Sequence, residues 1–293
     1  MGDGYDFVMI GLTHRVTGIC AGACVAACVR PYVVPAPAPV WACVLAVAGA
    51  LLIAWLAGRA ALWPDLDHHN STATRSMGLI SGAVHLFVHR MSCWVFDMSA
   101  TSRDVSEGDF RGHRGLSHFG ISAVVSGLVF GWVSYLLATR WPALALAVVA
   151  GLIVALVGSW LLGEVRGLVL ALVAGTALWW LVTTTAEEPL RIASELIAPA
   201  VGLGVGVSVS VGMLAHSLGD AATKTGVPLL WPIRIRGQRY YPIHVRPQSA
   251  LLSTGSSEWA ELKLRTFSWV VTAFVALAWW PGLYSSLWSL VFG

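Results

Sequence analysis

VWACVLAVAGALLIAWLAGRAALWPDLDHH forms residues 40–69, and it changes from apolar to strongly polar at Pro64. The apolar part, Val40 to Leu62, is long enough to cross a bilayer as one helix. The polar part brings two carboxylates and two imidazoles directly after that helix: Asp65, Asp67, His68 and His69. The stretch therefore predicts a membrane span that ends in groups able to bind metal or transfer protons.

The composition indicates an integral membrane protein. Of 293 residues, 57% are hydrophobic and only 11% are charged, whereas soluble domains contain about 25% charged residues. So much apolar surface requires lipid as its solvent. The 15 tryptophans agree with this, because Trp is enriched at membrane interfaces. The net charge of +3 is too small to indicate a nucleic-acid partner.

The hydropathy pattern predicts an all-α fold, a polytopic bundle of about seven transmembrane helices within a single integral-membrane domain, 1–293. Two long polar segments, 63–117 and 219–265, interrupt the apolar pattern. Within the first, residues 78–98 have apolar positions at helical spacing, which predicts an amphipathic helix lying in the interface. The predicted spans are 9–29, 40–62, 118–138, 142–162, 167–183, 197–218 and 266–291.

The distribution of basic residues predicts the orientation. If the spans alternate in direction, both polar segments lie on the side of the N-terminus. Only Arg30, Arg140 and Arg191 fall on the opposite side, which leaves the other 15 of 18 Lys and Arg residues on the N-terminal side. Basic loops remain in the cytoplasm, so we expect a cytoplasmic N-terminus; the family resemblance described below implies that the membrane is the inner (plasma) membrane.

The same alternation places all nine histidines on the cytoplasmic side or at a span end that faces it. Bundling of the spans would therefore bring separate segments together at one membrane depth. A polar residue inside a span, such as His14, is costly and is by default a functional candidate. The segments are, in chain order, His14; Asp65 to His69; His113 and His118; and His216 with Asp220.

These segments contain patterns typical of metal sites. His216 and Asp220 are four residues apart and share one helix face, and Asp65 and Asp67 can reach adjacent metals from one turn. Each pattern alone is also typical of a polar helix end or a solvated turn. Mixed imidazole and carboxylate ligands favour zinc, with manganese or iron as alternatives, and one or two ions. The predicted ligands are His14, Asp65, Asp67, His68, His118, His216 and Asp220.

Other residues allow two interpretations. His85 and His89 are either further ligands or interfacial side chains of the amphipathic helix, and we favour the second. His69 is either a ligand or the neighbour of one. Three cysteines, Cys20, Cys24 and Cys28, share one helix face, where they form either a thiolate metal site or, as we favour, a packing surface.

Four motifs together resemble the membrane-bound metal-dependent hydrolase family, the LexA-binding, inner-membrane-associated, YdjM-like hydrolases. The motifs are Thr13-His14; Pro64 to His68; His113-Arg114-Gly115-Leu116-Ser117-His118; and His216 to Asp220 followed by Thr223, Gly226 and Leu229-Leu230-Trp231-Pro232. The last is the most specific. This chain departs from the family pattern at Ser117, where Thr is usual, and at Phe119, where Ser is usual.

The resemblance implies a metal-dependent hydrolase, distantly similar to zinc-dependent phospholipase C. Metal-activated water would cleave a phosphoester at headgroup depth, so we expect membrane lipid as a partner and a lipid or lipid-linked phosphate as the substrate. We expect His113 and Arg114 to be catalytic and Thr13, Ser117 and Thr223 to support the ligands. Arg15, Arg75 and Lys224 would bind the substrate. The alternative is a non-enzymatic metal-binding protein for transport or sensing, or one whose metal only stabilises the fold.

Overall fold

The computed structural model is all-helical in the residues it describes, which are 3–33, 40–69, 71–75, 79–107, 110–162, 164–184, 188–223, 225–245 and 262–275. The long helices are α1 (Asp3–Val33), α2 (Val40–Ala60), α4 (Leu79–Ser99), α6 (Gly120–Arg140), α7 (Pro142–Leu162), α8 (Glu164–Thr184) and α9 (Glu188–Asp220). Shorter helices are α3 (Thr72–Arg75), α5 (Ser102–Glu107) and α10 (262–275).

The described helices include three candidate membrane spans, Val47–Asp67, Gly120–Arg140 and Ile197–Asp220. Shorter apolar segments, Pro142–Ala155 and Val169–Leu181, lie within α7 and α8. The prediction of about seven spans is therefore not confirmed. Helices α1, α7 and α8 do coincide with predicted spans, but most of the predicted span 266–291 lies outside the described residues.

The α2 helix tightens where it leaves its apolar segment. The amide of Trp63 donates to the carbonyl of Ala60, a spacing of three residues, and a 3₁₀ turn then spans Pro64–Asp67. Pro64 lacks an amide proton and stands at the first position of this turn, where none is needed. The turn stops the helix and leaves Asp65 and Asp67 at its end.

Small residues allow the long helices to pack closely. A Cβ at Gly131 of α6 would lie 2.8 Å from the carbonyl oxygen of Gly202 of α9, and one at Gly22 of α1 would lie 2.8 Å from the Cα of Ala54 of α2. Helix α9 also contacts α1 and α2. In membranes, close packing of small residues drives helix association. This packing brings α1, α2, α6 and α9 together, so that the polar residues near their ends lie close to one another.

The predicted amphipathic helix is present as α4, at Leu79–Ser99 instead of 78–98. Its inner face buries Ser81 and Ser92 completely, while large apolar side chains such as Phe87, 66% exposed, lie on its outer face. The Ser92 hydroxyl accepts a hydrogen bond from the amide of Leu116, which ties α4 to the turn before α6. Its location in the membrane interface remains a prediction.

Residues 221–223 and 225–245 form irregular structure that packs against α4 and α5. Asp104 of α5 accepts hydrogen bonds from the backbone amides of Arg239 and Tyr240, while the Arg239 guanidinium donates to the Ser99 carbonyl at 2.8 Å. The amide of Gly120 donates to the Leu229 carbonyl, which fixes the same segment to the start of α6. Part of the basic loop 234–246 is thus held in place by helices near the polar cluster.

Candidate metal centre

Five polar side chains from four segments converge between the helix ends. His118 Nε2 lies 3.1 Å from His216 Nε2, and both nitrogens lie within 3.7 Å of Asp220 Oδ2. His14 Nε2 is 3.4 Å from Asp220 Oδ1, and Asp65 Oδ1 is 3.5 Å from His216 Nε2. These residues form two overlapping groups able to hold a metal: His118, His216 and Asp220; and His14, Asp65 and His216.

The hydrogen bonds of the two central histidines fix where their protons lie. His216 Nδ1 is 2.7 Å from the carbonyl oxygen of Ala61, which only accepts, so Nδ1 carries the proton. His118 Nδ1 faces the Ser117 hydroxyl, whose own proton is donated to Asp67, so Nδ1 is again the donor. Burial lowers the pKa of His118, but hydrogen bonds to Asp220 and Asp67 outweigh it and raise this pKa to about 9. Without a metal, His118 Nε2 therefore carries a proton that it can donate to His216 Nε2, and a metal ion would replace that proton.

This donor set fits a metal ion. His118 Nε2 and His216 Nε2 lie 3.1 Å apart beside the Asp220 carboxylate, so one ion could contact all three groups after small shifts. Metal-bound histidines typically donate their other ring nitrogen to a carbonyl or a carboxylate, as His216 does to the Ala61 carbonyl. His118 Nδ1 instead faces the Ser117 hydroxyl, which links it to the Asp67 carboxylate. Two imidazoles and a carboxylate are ligands that zinc accepts.

Asp67 lies behind the centre and organises it. Its carboxylate accepts hydrogen bonds from the Ser117 hydroxyl at 2.6 Å, from His113 Nδ1 at 2.7 Å and from the Arg114 amide at 3.1 Å. It belongs to neither group of potential ligands within the described residues. The structure thus places Asp67 in the position of an orienting carboxylate, whereas the sequence predicted a ligand.

Arg114 is buried and engaged with Asp220. Its Nε lies 3.2 Å from Asp220 Oδ2, and its Nη1 donates to the Thr223 hydroxyl at 2.9 Å. Thr223 in turn donates to the backbone carbonyl of Asp220. The backbone φ of Arg114 is 58°, a left-handed conformation that is uncommon for a residue with a side chain. The guanidinium of Arg114, which the sequence predicts to be catalytic, therefore contacts the carboxylate of the centre.

The centre is closed on one side and open on the other. His118 and His216 are 0% exposed, whereas the side chain of Asp65 is 18% exposed and that of His113 is 40% exposed. His68 lies beside His113, with ring centres 4.9 Å apart. Burial, followed by the electrostatic influence of the nearby His113 and His69 rings, lowers the pKa of His68 to about 4, so its ring is neutral at pH 7.

Several predicted site residues lie outside the two ligand groups. The ring of His68 lies beside those of His69 and His113, and His68 belongs to neither group of potential metal ligands. Thr13 is buried beside His14, Arg15 is half-buried and Arg75 is exposed at the end of α3. Lys224 lies outside the described residues. The substrate-binding roles of these side chains remain predictions.

Backbone groups contribute to the site in ways that sequence patterns do not reveal. The Ala61 carbonyl orients His216, and the carbonyl of Gly226 accepts from Arg114 at 3.5 Å. Gly226 has a φ of 67°, which glycine adopts without strain. His244, for which the sequence suggested no role, lies 3.2 Å from the Thr223 carbonyl. No motif marks Ala61, because its contribution comes from the main chain.

The structure thus defines a helical membrane protein with a buried histidine and aspartate centre at the ends of its helices. The chain matches the YdjM inner membrane protein family over residues 9–163 and 166–289, and it belongs to that family. The YdjM-like resemblance inferred from the motifs is confirmed, while the hydrolase activity that it implies stays a prediction. No curated protein and no solved structure matches the chain.

Proposed function

We propose that the protein is a membrane-embedded, metal-dependent hydrolase. The observation that carries the proposal is the convergence of His118 Nε2 and His216 Nε2, which lie 3.1 Å apart and within 3.7 Å of Asp220 Oδ2. A divalent cation among these groups would bind both nitrogens and the carboxylate. The partial exposure of Asp65 supports a centre that water can reach, as a catalytic metal site requires and a closed structural site does not.

The ligands in this proposal are His14, Asp65, His118, His216 and Asp220. The Nε2 atom of His216 belongs to both ligand groups but offers a single lone pair, so it serves one ion. The Asp220 carboxylate points one oxygen at His14 and the other at His118, which makes it the residue suited to bridge two ions. One or two zinc ions are therefore compatible with the arrangement, and manganese or iron are alternatives.

A bound metal ion would supply water of lowered pKa, and hence hydroxide, near pH 7. The chain's own groups would position the other reactants. His113 is oriented by Asp67 at 2.7 Å and is partly exposed, so it can donate a proton to the leaving oxygen as the phosphorus–oxygen bond breaks. Arg114 and Thr223 would hold Asp220 in its orientation.

The position of the centre supports an amphiphilic substrate. Asp65 and Asp67 lie at the end of the candidate span Val47–Asp67, and His118 lies just before the candidate span Gly120–Arg140. A phosphoester in a lipid headgroup or a lipid-linked phosphate would reach this depth while its chains stay in the bilayer. The distribution of Lys and Arg supports a site on the cytoplasmic side of the inner membrane.

The non-enzymatic alternative, transport or sensing of a metal, receives less support from α9. The glycines of α9 are the feature most compatible with a permeation path, yet Gly202 and Gly206 pack against α6. Ser208 is fully buried and donates to the carbonyls of Ile53 and Gly204. These contacts support a packing role for this part of α9.

The test is hydrolysis by zinc-loaded protein in lipid nanodiscs, with a phospholipid, a polyprenyl phosphate and a chromogenic phosphodiester as substrates. We expect turnover of at least one phosphoester and its loss in His216→Ala. Asp97→Asn is the control and should retain turnover, because Asp97 lies near the C-terminal end of α4 and forms an exposed ion pair with Arg111. A protein that binds zinc stoichiometrically but cleaves none of the three substrates contradicts the hydrolase proposal and leaves the metal centre standing.

A further inference from the structure

Six histidine rings form a continuous row from the surface into the centre, which we call the histidine row. The distances between successive ring centres are 5.1, 4.9, 5.7, 5.0 and 3.8 Å. The members, from outside to inside, are His69, His68, His113, His118, His216 and His14. Only the inner three are potential ligands of the centre. The centre itself does not explain the outer three.

An ion needs a route to this centre because its ligands are buried. His118 and His216 have no exposed surface, and His14 and Asp220 are 6% and 4% exposed. Stripping a divalent cation of its water without replacement ligands is very costly. Entry is therefore faster along a path that offers a new ligand before the previous one is released.

The spacing of the row suits such a transfer. A zinc–nitrogen bond is about 2.1 Å long, so two imidazoles whose centres lie ~5–6 Å apart can bind one ion after small ring rotations. Asp67 lies between the outer and inner histidines, with Oδ1 on His113 and Oδ2 close to His118. Its negative charge would lower the barrier at the step from His113 to His118.

The outer end of the row has the chemistry of a metal-capturing site. His69 is exposed, His68 is half-buried and His113 is 40% exposed. The ring of His68 lies between those of His69 and His113, with ring centres 5.1 and 4.9 Å away. Three imidazoles and no carboxylate among these members favour a borderline cation such as Zn²⁺ over Mg²⁺ or Ca²⁺.

We propose that His69, His68 and His113 form an acquisition site that captures a divalent zinc-class cation and passes it along the histidine row to the buried centre. The inference rests on the metal centre of the proposed function, but not on hydrolysis. The competing route is direct entry past the partly exposed Asp65.

The test measures the rate of metal loading. Metal-free protein in detergent is mixed with Co²⁺, a spectroscopic probe for zinc sites, and ligand-field absorption is followed by stopped flow. The variant is His68→Ala/His69→Ala, which leaves the inner ligands intact. The matched control is His89→Ala, since the ring contact of His89 is with His85, outside the row.

We expect loading of the double variant to be slowed at least tenfold, with the same final cobalt stoichiometry as the wild type. The His89→Ala control should load at the wild-type rate. Wild-type loading rates in the double variant would overturn the inference in favour of direct entry. A lower final stoichiometry would also overturn it, because the outer histidines would then be ligands. Failure of the wild type to bind cobalt or zinc at all would instead refute the metal centre itself.

Discussion

Asp67 gives the sharpest test of the site's organisation, through the substitution Asp67→Asn. The native carboxylate accepts from His113, Ser117 and the Arg114 amide. An asparagine amide has one oxygen and one donor group, so it cannot accept on both sides. Whichever way it turns, an NH₂ group faces a donor, and His118 loses the negative charge that lies 3.5 Å behind its Nδ1.

The expected loss of metal affinity is moderate, because Asp67 lies behind a proposed ligand and is not itself one of the proposed ligands. Loss of a hydrogen-bonded carboxylate that orients a metal-bound histidine typically lowers metal affinity about 10- to 100-fold. This corresponds to ~1.4–2.8 kcal/mol of binding free energy. Removal of a true ligand would have a larger effect and would abolish stoichiometric binding.

The assay is a competition titration of zinc between the purified protein and a chromophoric chelator at fixed pH. Asp97→Asn is the matched control, since it removes an exposed carboxylate paired with Arg111. We expect Asp67→Asn to bind zinc with the wild-type stoichiometry but weaker affinity. Unchanged affinity would refute the orienting role of Asp67, and complete loss of binding, equal to that of Asp220→Ala, would make Asp67 a ligand.

Three further predictions concern stability. Hydrogen bonds from Thr101 and the 239–240 backbone outweigh burial and lower the pKa of Asp104, so Asp104→Asn should destabilise the protein by about 2 kcal/mol near pH 7. This difference in stability should persist above the unfolded-state pKa of about 3.9 and vanish as pH falls through the lower folded-state pKa. Chemical denaturation at several pH values measures it. Gly212→Ala would drive a methyl group against the Ala57 carbonyl and should cost about 1–3 kcal/mol, whereas Gly49→Ala meets nothing within 4 Å and should not lower the melting temperature. Zinc at 100 times its Kd should stabilise the wild type by about 2.7 kcal/mol and EDTA should reverse this, with neither effect in His216→Ala.

Each of these stability predictions has a clear contradicting result. A gap between wild type and Asp104→Asn that widens on acidification would refute the assignment of a lowered pKa. Equal melting temperatures for the Gly212 and Gly49 variants would refute the close contact of α9 with α2. Zinc stabilisation of His216→Ala equal to that of the wild type would place the ion elsewhere.

Much of the fold followed from the sequence because apolar runs and breakers report directly on helices in a membrane protein. Val40–Ala60 and Gly120–Arg140 lie close to the spans predicted at 40–62 and 118–138. The number of seven spans stays a prediction, because the described residues include three candidate spans and most of the predicted span 266–291 lies outside them.

Convergence of the site was predictable from alternation of the spans, and the structure does bring His14, Asp65, His118, His216 and Asp220 together. The division of labour among the polar residues was not predictable. Asp65 and Asp67 are only two residues apart, and which one faces the centre depends on the 3₁₀ turn that holds both. The pairing of Arg114 with Asp220, 106 positions later, arises from tertiary packing and leaves no local pattern.

Elemental analysis of purified protein is the most direct test that distant segments of the chain hold one metal centre. Wild type would be compared with Asp65→Ala and His216→Ala, and with Asp97→Asn and His89→Ala as matched controls. We expect tightly bound zinc or manganese in the wild type and both controls, and a lowered metal content in both site variants. Absence of stoichiometric metal from the wild type after reloading, or full metal content in both site variants, would contradict it.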